Sequence, residues 1–148
     1  MVHIRSLSSN DKDAWFRLWR GYLDFYEKTL DPAVSEATWH KLLAVDDIFG
    51  LVAADANGKI IGIVNCVVHA NTWSTQPVCY LEDLFVDPAA RGQGAGRALI
   101  EAIIARARAE GWLRVYWQTK QSNTKAQHLY DQVAQKTDWV RYDVATAD

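Results

Sequence analysis

The stretch Arg91-Gly92-Gln93-Gly94-Ala95-Gly96 constrains this chain more than any other. It follows an apolar, strand-like run, Val78 to Val86, that Pro88 stops, and it opens a segment whose apolar residues recur at helical spacing. Strand, glycine-rich turn and helix in that order gather several successive backbone amides around one point. Glycine lets a ligand approach the backbone, and the helix N-terminus adds unpaired N–H groups and the positive end of the helix dipole. The construction suits a phosphate, and Arg91 and Arg97 add side-chain charge beside it. As a plain helix start it would be poor, because three glycines weaken a helix. A Walker loop needs Gly-Lys-Ser/Thr, which is absent here. The dinucleotide fingerprint spaces its glycines G-x-G-x-x-G after the first strand. Here the spacing is Gly92-x-Gly94-x-Gly96, after the fourth predicted strand.

The remaining chain supplies a frame for this turn. Residues 2–7 read as a first strand, and Ser8 to Asp11 offer a helix cap. Trp15, Leu18, Trp19, Tyr22 and Tyr26 recur at helical spacing from Lys12 to Lys28. Pro32 interrupts that run, and Ser35 is the predicted cap of a second helix over 36–46. The period then changes. Ile48 to Ala54 and Lys59 to Ala70 form a predicted hairpin about a type I′ turn at Asn57-Gly58. Val78 to Val86 is the next strand, and the helix after the glycines ends at Gly111. Leu113 to Thr119 reads as a strand, Asn123 to Gln135 as a helix and Trp139 to Val144 as a last short strand. The order β-α-α-β-β-β-α-β-α-β predicts an α/β fold in which helices flank a mixed, mostly antiparallel central sheet. A length of 148 residues and the absence of a linker predict one domain over 1–148.

Arg91-Gly92-Gln93-Gly94-Ala95-Gly96 resembles the acetyl-coenzyme A pyrophosphate loop of the GCN5-related N-acetyltransferase (GNAT) superfamily. The segment Asn123-Thr124-Lys125-Ala126-Gln127-His128-Leu129-Tyr130 resembles a second family element in the expected downstream position. Together they extend the likeness over nearly the whole chain. Tyr80-Leu81-Glu82-Asp83-Leu84-Phe85 is similar to the diamine and polyamine acetyltransferases. Val115-Tyr116-Trp117-Gln118-Thr119 with Leu129-Tyr130 is similar to a fungal and bacterial group of histone, polyamine and D-amino-acid acetyltransferases. One departure is Thr137-Asp138-Trp139, where many members have Gly-Phe before the last strand.

The resemblance implies acetyl-coenzyme A as cosubstrate and a set of site residues. The loop from Arg91 to Arg97, including Gln93 and Ala95, would hold the pyrophosphate. The backbones of Leu84 and Val86, together with Asn123, would hold the pantetheine arm. Glu82 would deprotonate the acceptor, with Asp83 as the other candidate acid, and Tyr130 would protonate the departing sulfur. The chemistry asks for such groups. An alkylamine has a pKa near 10.4 and arrives mostly protonated, so a carboxylate must attract it and receive its proton. Along a regular strand Glu82 shares a face with Leu84 and Val86, and Asp83 with Leu81 and Phe85. Both carboxylates serve one pocket only if a bulge intervenes. Tyr22 and Tyr26 are candidates for an acceptor-binding wall of apolar or cation–π character. His3, His40, His69 and His128 lack ligand spacing, and neither they nor Cys66 and Cys79 imply a metal.

Function classes follow. The leading one is an enzyme that moves acetyl to a primary amine, with a small amine, polyamine or amino acid as acceptor. A protein lysine or N-terminus is the alternative acceptor, and a non-catalytic acyl-coenzyme A sensor is the alternative class. Between residues 10 and 47, Asp11, Asp13, Asp24, Glu27, Asp31, Glu36, Asp46 and Asp47 outnumber the bases, which favours a cationic acceptor. A formal net charge of -2 argues against nucleic acid. The chain has no apolar run long enough for a membrane span, and its opening residues lack a leader's apolar region, so the expected compartment is the cytoplasm. Abundant aromatics and a short final strand make a homodimer the expected assembly.

Overall fold

The computed structural model describes residues 1–147, and Asp148 lies outside the described residues. The chain divides into two compact units, Met1–Gln118 and Thr119–Asp148. In the first unit, β1 (His3–Ser6), β2 (Ile48–Ala54), β3 (Ile60–His69), β4 (Val78–Val86) and β5 (Val115–Tyr116) form one sheet in that order. All neighbours are antiparallel except β4 and β5, which are parallel. Helices α1 (Lys12–Phe25), α2 (Pro32–Ala44) and α3 (Ala95–Glu110) belong to this unit, and α4 (Thr124–Val133) belongs to the second. The architecture is the mixed α/β sheet with flanking helices that the element order predicts.

The faces of the sheet follow from the strand period. Ile63 joins Trp15, Leu18 and Trp19 of α1, Trp39 and Leu42 of α2, and Val52 in one buried cluster. Gly62, one residue away, faces the other side, where a methyl group in place of its hydrogen would lie 3.2 Å from Leu99 of α3. Helices α1 and α2 therefore cover one face, and α3 covers the other with Leu99, Ile100 and Ile103, all fully buried. Free Cys66 and Cys79 are buried in the same sheet. At the head of α1, Ser8 caps a single 3-10 turn, Ser9–Asp11. Asp11 accepts from the Ser8 amide at 2.8 Å and takes both ends of the Arg5 guanidinium, at 2.8 and 2.9 Å, tying β1 to α1.

Four local expectations are corrected. The β2–β3 connection is not a type I′ turn, because only Gly58 has a positive φ (83°), whereas type I′ requires it at both central residues. Asp55 builds the loop instead: its Oδ1 accepts from the amides of Asn57 and Lys59 at 2.9 and 3.0 Å, and Gly58 takes the left-handed position that follows. Helix α2 starts at Pro32, with Asp31 as its cap and Pro at the first position, where no amide is needed. Ser35 lies inside that helix, its hydroxyl accepting from Trp19 Nε1 at 3.0 Å. Strand β5 keeps two residues of the predicted Leu113–Thr119. Residues 139–144 form no strand, and Trp139, Val140, Tyr142 and Val144 are exposed. Alternating apolar residues become a strand only where a partner's ladder receives them, and these six have none.

Candidate active site

The glycine turn folds as its composition asks. Asp87 caps a short 3-10 turn, Pro88–Ala90, and the chain then reverses through Gly92 and Gly94, whose φ angles are 87° and 77°. A methyl group at either glycine would meet no protein atom within 4 Å, so the space in front of the loop is open to a ligand. The first backbone bond of α3 runs from Ala98 N to Gly94 O at 3.0 Å. The amides of Ala95 and Gly96 precede it and have no carbonyl within the helix. These amides, the helix dipole and the exposed loop fit a pyrophosphate. Gly96 is ordinary helix, so it supplies close backbone rather than a turn. Arg91 and Gln93 are exposed on the loop, and buried Ala95 anchors it. Arg97 turns along the helix to Glu101, with Nε 2.9 Å from Oε1.

Strand β4 carries the second part of the site. Its parallel pairing with β5 stops at Tyr80–Tyr116, so on that side the backbone from Leu81 to Val86 makes no ladder. This stretch includes Leu84 and Val86. An open strand edge presents N–H and C=O groups at the spacing of an extended amide chain. The other edge is continuous with β3 except at one place. Asn65 pairs with Asp83 and Cys66 with Leu81, leaving Glu82 without a partner. This is a β-bulge, and it falls at the carboxylate pair, where the sequence makes a bulge the condition for both to serve one pocket. It also corrects the predicted faces: Leu81 is opposite Cys66, while Asp83 is opposite Asn65 and turns toward α1.

Around the bulge the side chains interlock. Trp15 Nε1 donates to Asn65 Oδ1 at 3.3 Å, and Asn65 Nδ2 donates to Asp83 Oδ2 at 3.1 Å. The Tyr22 hydroxyl faces Asp83 from α1, near enough for each to act on the other's titration. Burial pushes the Asp83 carboxyl above the ordinary carboxylate value, and the donors Asn65 and Tyr22 pull it back down. The Tyr22 phenol is pushed far up, first by burial and then by the neighbouring Asp83 charge, so it stays protonated. Glu82 is exposed, yet partial desolvation raises its carboxyl, the Asp83 charge raises it further, and Lys41 of α2 opposes both. Tyr22 stacks on Trp19 at 5.4 Å and meets Tyr26 edge-on at 5.0 Å. Helix α1 comes this close to β4 because residue 21 is glycine: a methyl group there would lie 2.7 Å from the Phe85 ring. Tyr22 and Tyr26 thus lie by Asp83, and Glu82 is its neighbour on the strand.

In the second unit, Asn123 caps α4 by accepting from Ala126 N at 3.3 Å. Tyr130 lies on that helix, half-buried, one turn before its end.

Sequence reasoning overlooked three contributors. Asn65 and Trp15 hold Asp83 from inside the fold. The signal was present, since Asn65 is the one polar side chain in the run Ile60 to Val68. The third is Tyr116, which lies 4.9 Å from the Tyr80 ring and feels the Glu82 charge. Its hydroxyl is 2.7 Å from His69 Nε2, while His69 Nδ1 is 2.8 Å from the Ala70 carbonyl. The carbonyl can only accept, so in the neutral ring Nδ1 carries the proton and Tyr116 donates to Nε2. No sequence spacing announces this pair. A cavity of about 250 Å³ sits at the β3–β4 loop, bordered by Asp47, His69, Asn71 and Gln76, and includes none of the predicted site residues. Among the described residues, no group of three or more His, Cys, Asp or Glu is placed to hold a metal ion, and no helix is long and apolar enough to cross a membrane.

Comparison with known proteins gives this geometry its context. The D-amino-acid N-acetyltransferase HPA3 of Saccharomyces cerevisiae is 36% identical over 143 residues, covering 95% of this chain and 89% of the relative. The uncharacterized N-acetyltransferase YhfO of Bacillus subtilis is 32% identical over 131 residues, covering 88% of this chain and 87% of the relative. The fold matches that of AAC(6')-Iy, solved in complex with a bisubstrate analogue, with a TM-score of 0.85, 21% identity and 99% of each chain covered. Residues 13–134 match the Acetyltransferase (GNAT) family, a span that runs from α1 through the glycine turn to the end of α4. A glycine turn after β4, an open β4 edge and a family match across both units have one common account: this chain belongs to the GNAT acetyltransferases and is an enzyme that uses acetyl-coenzyme A.

Proposed function

We propose that this acetyltransferase acts on the amino group of a small amine or amino acid, by direct attack on the thioester. The observation that carries the reading is the bulge in β4, with Glu82 unpaired and Asp83 turned toward Tyr22 and Tyr26. Two adjacent carboxylates beside aromatic rings favour a compact cation. The 36% identical relative is a D-amino-acid N-acetyltransferase, which supports an amino acid among the acceptors.

In this mechanism Asp83 and the two tyrosines receive the acceptor's ammonium. Glu82 takes a proton from it, directly or through water, and a raised carboxyl pKa makes Glu82 the better base for that transfer. Acetyl-coenzyme A supplies the acyl group as a thioester. As the new C–N bond forms and the C–S bond breaks, the Tyr130 hydroxyl gives its proton to the departing sulfur. The loop from Arg91 to Arg97 binds the pyrophosphate, and the open edge at Leu84 and Val86, with Asn123, orients the pantetheine amides. The roles of Tyr130 and Asn123 rest on the resemblance of the segment 123–130 to its family element.

The test is release of free thiol from acetyl-coenzyme A with a panel of D- and L-amino acids, polyamines, and peptides bearing a free N-terminus or lysine. The small amines are expected to show the higher kcat/KM. Turnover confined to the peptides would overturn this reading in favour of a protein acceptor.

A further inference from the structure

We propose that Asn65 is a positioning residue of the acceptor site: pinned by Trp15, it holds the Asp83 carboxylate in one orientation, as the anion that receives the acceptor's ammonium. The proposal rests on the acceptor reading above and deepens it.

Asn65 lies in the middle of β3 with 4% of its surface exposed. An amide at such a position costs free energy unless both of its ends are bonded, and an apolar residue would pack there without that demand. Both ends are bonded, and the partners fix which end faces which way. An indole N–H can only donate, so Trp15 claims Oδ1. The amide N–H₂ is then left pointing at Asp83 Oδ2. Asn65 cannot turn over without facing one donor with another. Asp83 therefore meets a donor from the sheet at 3.1 Å and has the Tyr22 hydroxyl of α1 facing it, which helps hold its carboxyl down. An ionised carboxylate can use both, since it only accepts; a protonated one must also place a hydrogen of its own. The bulge completes the device by turning Asp83, rather than Glu82, toward Asn65. The titratable groups felt with Asp83 are Tyr22 and Tyr26 of α1, Cys66 of β3, and Glu82 on its own strand, with Lys41 of α2 and Tyr116 of β5 acting on Glu82. The cations around this group act on the neighbours of Asp83: Lys41 on Glu82, Arg106 on Cys66 and Arg114 on Tyr116. Neutral donors thus do most to keep Asp83 charged.

A merely structural Asn65 would stabilise the fold and leave acceptor kinetics alone, so the test reads both. Asn65→Leu removes both bonds at similar volume. Asn65→Asp keeps an acceptor for Trp15 but sets a carboxyl against Asp83, forcing the two to share a proton. It is the second variant should Asn65→Leu fail to fold. For each folded protein, initial rates are measured from pH 5 to 9 with D-lysine and spermidine as probes, alongside coenzyme A binding by calorimetry. Loss of one hydrogen bond to a charged group predicts an acceptor KM raised about tenfold to a hundredfold. The acid limb of kcat/KM should move to higher pH, with coenzyme A affinity unchanged. In parallel, the Asp83 carboxyl of the wild type and Asn65→Leu is titrated by ¹³C NMR without any acceptor, and the variant should titrate at higher pH. Folded variants with unchanged KM and acid limb, or an Asp83 titration that does not move, would overturn the proposal. A wild type silent toward both probes and the wider panel, with the NMR shift present, would overturn the acceptor reading and leave the positioning of Asp83 standing.

Discussion

Replacing Gly94 by alanine separates what the glycine turn does for the fold from what it does for the ligand. Gly94 has φ 77°, in the left-handed region, and a methyl group there meets no protein atom within 4 Å. The cost to folding is therefore conformational alone, about 1–2 kcal/mol. A chain of 148 residues unfolds with an entropy near 0.3 kcal/mol/K, so the melting temperature should fall by about 3–6 °C. Gly58 supplies the control, since it has φ 83° and the same open space, but lies in the β2–β3 loop. Gly58→Ala should lose the same few degrees and bind coenzyme A normally. In Gly94→Ala the methyl group occupies the mouth of the loop, where the pyrophosphate must come within hydrogen-bond distance of the amides. Losing one or two charge-assisted hydrogen bonds should weaken binding about tenfold to a thousandfold. Melting curves and titration calorimetry with coenzyme A, run on both variants, give the comparison. Equal affinity in the two would refute the assignment of the pyrophosphate to this loop.

Other parts of the molecule give independent expectations. Tyr130→Phe keeps the ring and loses the hydroxyl, so single-turnover acetyl transfer should slow about 10²–10⁴-fold while coenzyme A affinity holds; a loss explained wholly by weaker binding would assign the tyrosine a structural role. Asp11 is buried and its carboxyl is held below the ordinary value by the Arg5 guanidinium first and the Ser8 amide second. A depressed carboxyl stabilises the fold above its unfolded pKa and loses that contribution as pH falls through its folded pKa. Asp11→Asn should therefore cost about 1–2 kcal/mol near neutral pH, and urea melts should show the difference from the wild type closing progressively below about pH 4. The chain is expected to associate with a second copy, and light scattering should give a mass near twice 16.7 kDa; a 16.7 kDa species across a concentration series would reject the dimer.

The legible parts of this fold are those decided by local chemistry. Strands β2 and β4 run over the residues that their apolar character and the flanking Pro88 predict, and α3 stops at Gly111, whose φ is 74°. The departures occur where two local solutions compete and distant packing chooses. Asp31 and Ser35 can each cap a helix, and Trp19 decides the matter by taking the Ser35 hydroxyl. Asn57-Gly58 favours a tight turn, but the Asp55 side chain binds two amides and lengthens the loop. In the site, the glycine turn and the Glu82-Asp83 pair are readable as motifs. The bulge that orients the pair is a matter of register between β3 and β4, which no residue in β4 encodes alone. The Trp15–Asn65–Asp83 chain joins residues 50 and 18 positions apart and is invisible to any local pattern.

The central claim is that a carboxylate on the β4 bulge deprotonates the acceptor, and single-turnover acetyl transfer by Glu82→Gln across pH tests it most directly. Desolvation first and the Asp83 charge second raise the Glu82 carboxyl, so the wild-type rate should fall as pH drops through a value above the ordinary carboxylate range. In Glu82→Gln that acid limb should vanish from its wild-type position. The rate should drop about 10²–10⁴-fold at neutral pH and recover in part as pH approaches the acceptor amine's own pKa. Coenzyme A affinity should not change. A folded Glu82→Gln enzyme whose rate superimposes on the wild type at every pH would contradict the account.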